Sequence, residues 1–158
     1  MFEFSKIIIS MFIIVILLIS ICVACSLNKS SIDENEAFRY KVTPQDDEWK
    51  TFKTHDEMVR ACRIPSETLK KMTTAEVVDA VVDFPLLFDV FLYDSKEEGV
   101  KAMLSISDAF KELTIRKDAK SALQNKLSYF KERNIPGESL YIKAIEILLT
   151  EENISQSD

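Results

Sequence analysis

Three segments carry one four-residue signature: Thr54 with Glu57, Thr73 with Glu76, and Ser95 with Glu98. An oxygen in the first position satisfies amides that the opening turn of a helix leaves free, and a glutamate three residues on reaches back to the amide of the cap. Starts this closely spaced leave room only for short helices. Asp118 is a simpler cap, and Pro65, Pro85 and Pro136 stand where a proline fits the first helical turn. Two glycines and four prolines in 158 residues are too few for a turn-rich β-sandwich. The expectation is an all-α fold, a compact bundle or short solenoid-like stack of about seven short helices, preceded by an N-terminal signal or anchor helix.

Periodicity assigns the core. Over residues 74–83, Val77, Val78, Val81 and Val82 cover one face, while Glu76, Asp79 and Asp83 line the other. That acidic stripe reads as a solvated face, with a grip on a cation or a basic partner as the alternative. Residues 85–93 are apolar around nearly the whole circumference, which predicts the central, most buried helix. Asp89 is its exception and the candidate buried structural acid, with Arg60, Arg63 or a neighbouring helix start as partner. Farther on, Met103, Ile106, Phe110 and Leu113 keep helical spacing, with a break offered by residues 105–108. Ala119, Ala122, Leu123, Leu127 and Phe130 mark the next helix, and Leu140, Tyr141, Ala144, Ile145 and Leu148 the last. Residues 48–150 are thus the helical domain, and 151–158 read as a disordered polar tail.

The amino terminus has a different character. Residues 7–24 form an almost unbroken apolar run behind Lys6, the order of charge and hydrophobicity found in an export signal. The run ends at Cys22-Val23-Ala24-Cys25, which resembles the lipobox of bacterial lipoproteins and makes Cys25 the candidate lipid-attachment residue. The competing reading is an uncleaved anchor, since 18 residues at helical rise span roughly 27 Å, close to a hydrocarbon core. Asp33, Glu34 and Glu36 beyond the run place the domain outside the cytoplasm in either case. Residues 25–47 lack an apolar period and read as a flexible polar linker.

Charge and cysteine usage narrow the partners. Glu3 and Lys6 cancel, so the formal charge of -6 belongs to the part beyond the run. Lysines alternate with acids instead of clustering, which argues against nucleic acid as a partner. Cys22 would leave with the signal and Cys25 would carry lipid, leaving Cys62 without a disulfide partner and best read as a small buried apolar side chain.

Trp49, Ala61-Cys62-Arg63-Ile64-Pro65, Met72-Thr73-Thr74 and Phe84-Pro85-Leu86 occur together and in order. With Glu57-Met58, Leu69, Val77-Val78 and Tyr93-Asp94, this resembles an uncharacterised family of exported helical proteins of Gram-positive bacteria. The resemblance spans about a third of the chain, with Arg116-Lys117-Asp118-Ala119 as a weaker continuation. It implies a helical fold and an extracytoplasmic location, and it carries over no activity and no functional residue. Read from the residues themselves, Ile64 before Pro65 fixes a corner between two helices. Trp49 covers an end of the core or serves as the candidate recognition aromatic.

Several chemistries lack their residues. His55 is the only histidine, and its place in the first turn of a capped helix makes it most simply a surface residue. Nothing sets Cys62 or a serine beside it for nucleophilic catalysis, and no multi-ligand zinc site is supported. With Gly99 and Gly137 as the only glycines, there is no phosphate loop and no nucleotide fingerprint. The expected function is a noncatalytic, membrane-anchored module that binds an envelope protein or serves a structural role, with no cofactor and no metal. The alternatives are a wall hydrolase using Asp89 with Asp79 or Asp83, and an immunity or inhibitor-type lipoprotein.

Overall fold

The structure, a computed structural model, describes residues 38–133 and 137–156. The apolar run, Cys25 and most of the polar linker lie outside the described residues. So do Ile135 and Pro136.

Within the described residues the fold is all-helical, without a strand. Eight α-helices follow one another: α1 (His55–Ala61), α2 (Ser66–Lys71), α3 (Thr74–Val82), α4 (Lys96–Ile106), α5 (Asp108–Leu113), α6 (Ala119–Arg133), α7 (Ser139–Leu148) and α8 (Glu152–Ser155). Two 3-10 turns, Trp49–Thr51 and Leu87–Phe91, complete the set. None of the described helices is long and apolar enough to cross a membrane.

Local chemistry sets most starts. Thr54 and Thr73 form complete capping boxes with Glu57 and Glu76. Ser95 forms half of one, accepting from the Glu98 amide at 3.1 Å. Ser107, buried inside the domain, ends α4 and caps α5 by accepting from the Phe110 amide at 3.2 Å, so the apolar stretch breaks into two helices here. Asp118 is spent elsewhere: its Oδ1 accepts from the Thr74 hydroxyl at 2.7 Å, tying the approach to α6 to the start of α3.

The central helix is α3, where Val77, Val78, Ala80, Val81 and Val82 are all buried against α5 and α6. Residues 85–93, expected to be the most buried helix, are instead a five-residue 3-10 turn at the edge, packed on α4 and α7. Its period of three gives the reason: Leu87 and Val90 fall on the inner side, while Phe88 and Phe91, also three apart, fall on the outer. The turn sits tightly on α4 because Gly99 is there. A Cβ added to Gly99 would stand 2.4 Å from the Val90 carbonyl oxygen.

Two boundaries differ from expectation. The linker was expected to run through residue 47, yet Val42 is buried, and Phe38 and Tyr40 pack against the core. The Tyr40 hydroxyl donates to the Ala80 carbonyl at 2.9 Å and its ring tilts against Phe84, so two aromatic side chains and a valine overcome the polar composition around them. At the other end α8 replaces the expected frayed tail, because Ile154 is fully buried and draws its turn onto the domain.

Candidate interaction surface

Five aromatic rings form a continuous row from the Leu87–Phe91 turn across α7 to α6. Phe91 stacks on Phe88 at 6.2 Å, Phe88 meets Tyr141 edge-on at 5.0 Å, Tyr141 lies nearly parallel to Phe130 at 5.7 Å, and Phe130 meets Tyr129 at 5.8 Å. Phe130 is the buried keystone, while Phe88, Phe91 and Tyr129 are 38%, 37% and 46% exposed. Leu92, Tyr93 and Leu140, which follow Phe91 or precede Tyr141 in sequence, are also exposed. Cations dress one end: Lys126 lies 5.5 Å from the Tyr129 and Phe130 ring centres, and Arg133 packs over Tyr129 and donates to its hydroxyl. Phe, Tyr and Arg are residue types enriched at protein interfaces, whereas Lys is depleted there.

A half-open cleft of about 900 Å³ adjoins this row. Phe88 and Tyr141 belong to both, and Phe38, Tyr40 and Phe84 line the cleft with them. The acidic stripe of α3 faces it, each acid differently engaged. Glu76 accepts from the Thr73 amide and hydroxyl, which hold its carboxyl below the usual range. Asp79 accepts from Lys126 Nζ at 2.6 Å. Asp83 stays exposed, yet burial of its surroundings pushes its carboxyl above the ordinary value, with the neighbouring Asp79 charge adding to the rise. At the cleft edge, hydrogen bonds from the Thr43 hydroxyl and amide hold the Asp46 carboxyl low. Burial pushes the Tyr40 hydroxyl upward.

Asp89 does not line this cleft. It is partly exposed at the edge, and its Oδ2 lies 2.6 Å from His55 Nε2, so the partner is the lone histidine and not Arg60 or Arg63. The His55 side chain remains half exposed and bridges α1 to the turn that carries Phe88 and Phe91. The acids nominated for glycoside chemistry therefore divide, with Asp79 and Asp83 in the cleft and Asp89 at His55. Trp49 is half-buried on the core and meets Phe52 edge-on at 5.7 Å. Cys62 is a buried free thiol, and burial pushes it up to about 11. Among the described residues no group of three or more His, Cys, Asp or Glu is gathered for a metal ion.

The aromatic row escaped sequence reasoning because a helical period was applied to residues 85–93. A period of three, pairing Phe88 with Phe91, would have exposed it. Compared with protein-family models, curated proteins and solved structures, the chain matches none of them.

Proposed function

We propose that the chain is a noncatalytic, membrane-anchored helical module outside the cytoplasm that binds another protein of the cell envelope. The observation that carries the reading is the aromatic row with its exposed ends, Phe88 and Phe91 at one and Tyr129 at the other, since exposed rings gain when a partner removes them from water. Membrane anchoring is supported by the apolar run of residues 7–24 and by Cys25 at its end, with an uncleaved anchor as the alternative. The ordered resemblance from Trp49 to Tyr93 points to the same location.

The test is affinity capture from envelopes of a Gram-positive host, comparing wild type with a Phe88→Ser, Tyr129→Ser double variant. A protein retained by wild type and lost from the folded variant supports the reading. No protein retained by either counts against it. Capture of one tight cognate toxin or protease would specify an inhibitor or immunity role. Intact mass of the membrane fraction, wild type beside Cys25→Ala, separates lipid attachment from an uncleaved anchor.

A further inference from the structure

The cleft beside the aromatic row is lined by Phe38, Tyr40, Phe84, Phe88 and Tyr141, by the acidic stripe of α3, and by three cations, Arg39, Lys41 and Lys126. Of the acids there, Asp46, Glu76 and Asp79 have their hydrogen bonds made by Thr43, Thr73 and Lys126. Asp83 stands apart: its carboxylate is exposed and engaged in neither a side-chain hydrogen bond nor an ion pair among the described residues. Arg39 stands near enough to act on Asp83, yet no ion pair joins them. Lys126 is held at 2.6 Å by Asp79.

We propose that this cleft receives a lysine or arginine side chain of the protein partner, its cationic head on the Asp83 carboxylate and its methylene stem against Phe88 and Tyr141. The inference rests on the protein-binding reading above and names the chemistry of the partner. Three features of the site favour a cation over an anion or an apolar group. The rings of Phe88 and Tyr141 can cover the methylene stem of a lysine or arginine while its charged head reaches a carboxylate. The chain carries a formal charge of -6, so its long-range field draws basic partners and repels acidic ones. The Asp83 carboxylate lines the cleft and is exposed, with no side-chain hydrogen bond or ion pair among the described residues, so it is open to an arriving cation. Because Phe88 and Tyr141 belong both to the row and to the cleft wall, one docked segment can cover the rings and place a basic side chain in the cleft.

The test uses the full chain in neutral detergent micelles and four fluorescent peptides of equal length. Each carries one central residue, lysine, arginine, norleucine or glutamate, between leucine and glycine flanks. The expected result at roughly 0.15 M salt, where screening acts beyond about 8 Å, is that the lysine and arginine peptides bind at least tenfold more tightly than the other two. Asp83→Asn should reduce that preference to within twofold, with an unchanged helical spectrum. Glu97→Gln, on an exposed residue of α4 outside the cleft, removes the same charge and should leave the preference intact. Equal binding of all four peptides overturns the proposal, as does an equal loss in both variants, which would mark a general field effect. Envelope capture keeps the two readings apart. A partner retained by wild type and by Asp83→Asn alike, but lost from the Phe88→Ser, Tyr129→Ser variant, would sustain protein binding and overturn the cleft assignment.

Discussion

The Asp108 carboxylate and the Arg63 guanidinium meet at 2.6 Å across 45 positions of sequence. The second carboxylate oxygen accepts from the Ile64 amide at 3.0 Å. Asp108 opens α5, so its charge also faces the free amides of a helix start. One side chain thus fixes the Arg63-Ile64-Pro65 corner between α1 and α2 and fastens it to α5. Asp108→Ala should lower unfolding free energy by about 2–3 kcal/mol, because a part-buried amide loses its acceptor. Arg63→Ala should cost less than about 1 kcal/mol, since that side chain is half exposed. Urea unfolding of the two variants checks the order, and equal costs would refute the weight placed on Ile64.

Gly99→Ala should destabilise the domain by about 1–3 kcal/mol, even though alanine is the better helix former. The obstacle is the Val90 carbonyl, a backbone atom that cannot rotate aside. The Leu87–Phe91 turn would have to lift from α4 and carry Phe88 and Phe91 with it. Thermal unfolding would read the loss; a stability gain would show that α4 and the turn lie farther apart.

Arg116 holds the end of α2 from a distance. Its Nη1 and Nη2 donate to the Met72 and Leu69 carbonyls at 3.1 and 2.9 Å, while Nε donates to Glu112. An ammonium has three donors on one atom and cannot reproduce the spread of Nε, Nη1 and Nη2, so Arg116→Lys should behave nearly as badly as Arg116→Ala, at about 1–3 kcal/mol. Amide exchange in α2 should accelerate in both. Full rescue by lysine would show that charge alone matters.

Glu76 in α3 and Asp83 at its end should respond to pH with opposite signs. The Asp83 carboxyl is raised, chiefly by burial, so its contribution to stability is fully present below the unfolded-state value and is lost as pH rises through the folded one. The Glu76 carboxyl is lowered by the Thr73 amide and then by its hydroxyl, so its contribution is present above the unfolded-state value and is lost as pH falls through the folded one. At pH 7 Asp83→Asn should therefore raise the melting temperature and Glu76→Gln should lower it. Both differences should shrink towards acid pH. Same-sign shifts at pH 7 would contradict the assignment.

What the sequence made legible was local. Thr54, Thr73 and Ser95 sit within three residues of the amides they cap, so their spacing alone reveals the helix starts. The stripe of α3 was equally plain, because four valines on one face leave no other orientation. Contacts across the chain were not legible. His55 and Asp89 are 34 positions apart, and Arg116 reaches carbonyls 44 and 47 positions away, with nothing in their neighbours to announce it. The aromatic row was hidden for a second reason. Leu87 and Phe88 are equally apolar, and only the pitch of the backbone decides which of them meets water.

The strap from Phe38 to Val42 has a mechanical consequence. It is joined to α3 by the Tyr40 hydroxyl bond to Ala80, and to the rest of the core by the ring contact of Tyr40 with Phe84 and by the buried Val42. Any tension applied to the chain ahead of Phe38 loads that bond and those rings one after another, as in peeling, before it strains a single helix. Since Phe38 and Tyr40 also form one side of the cleft, the first part of the domain to yield under pull is the wall of that cleft.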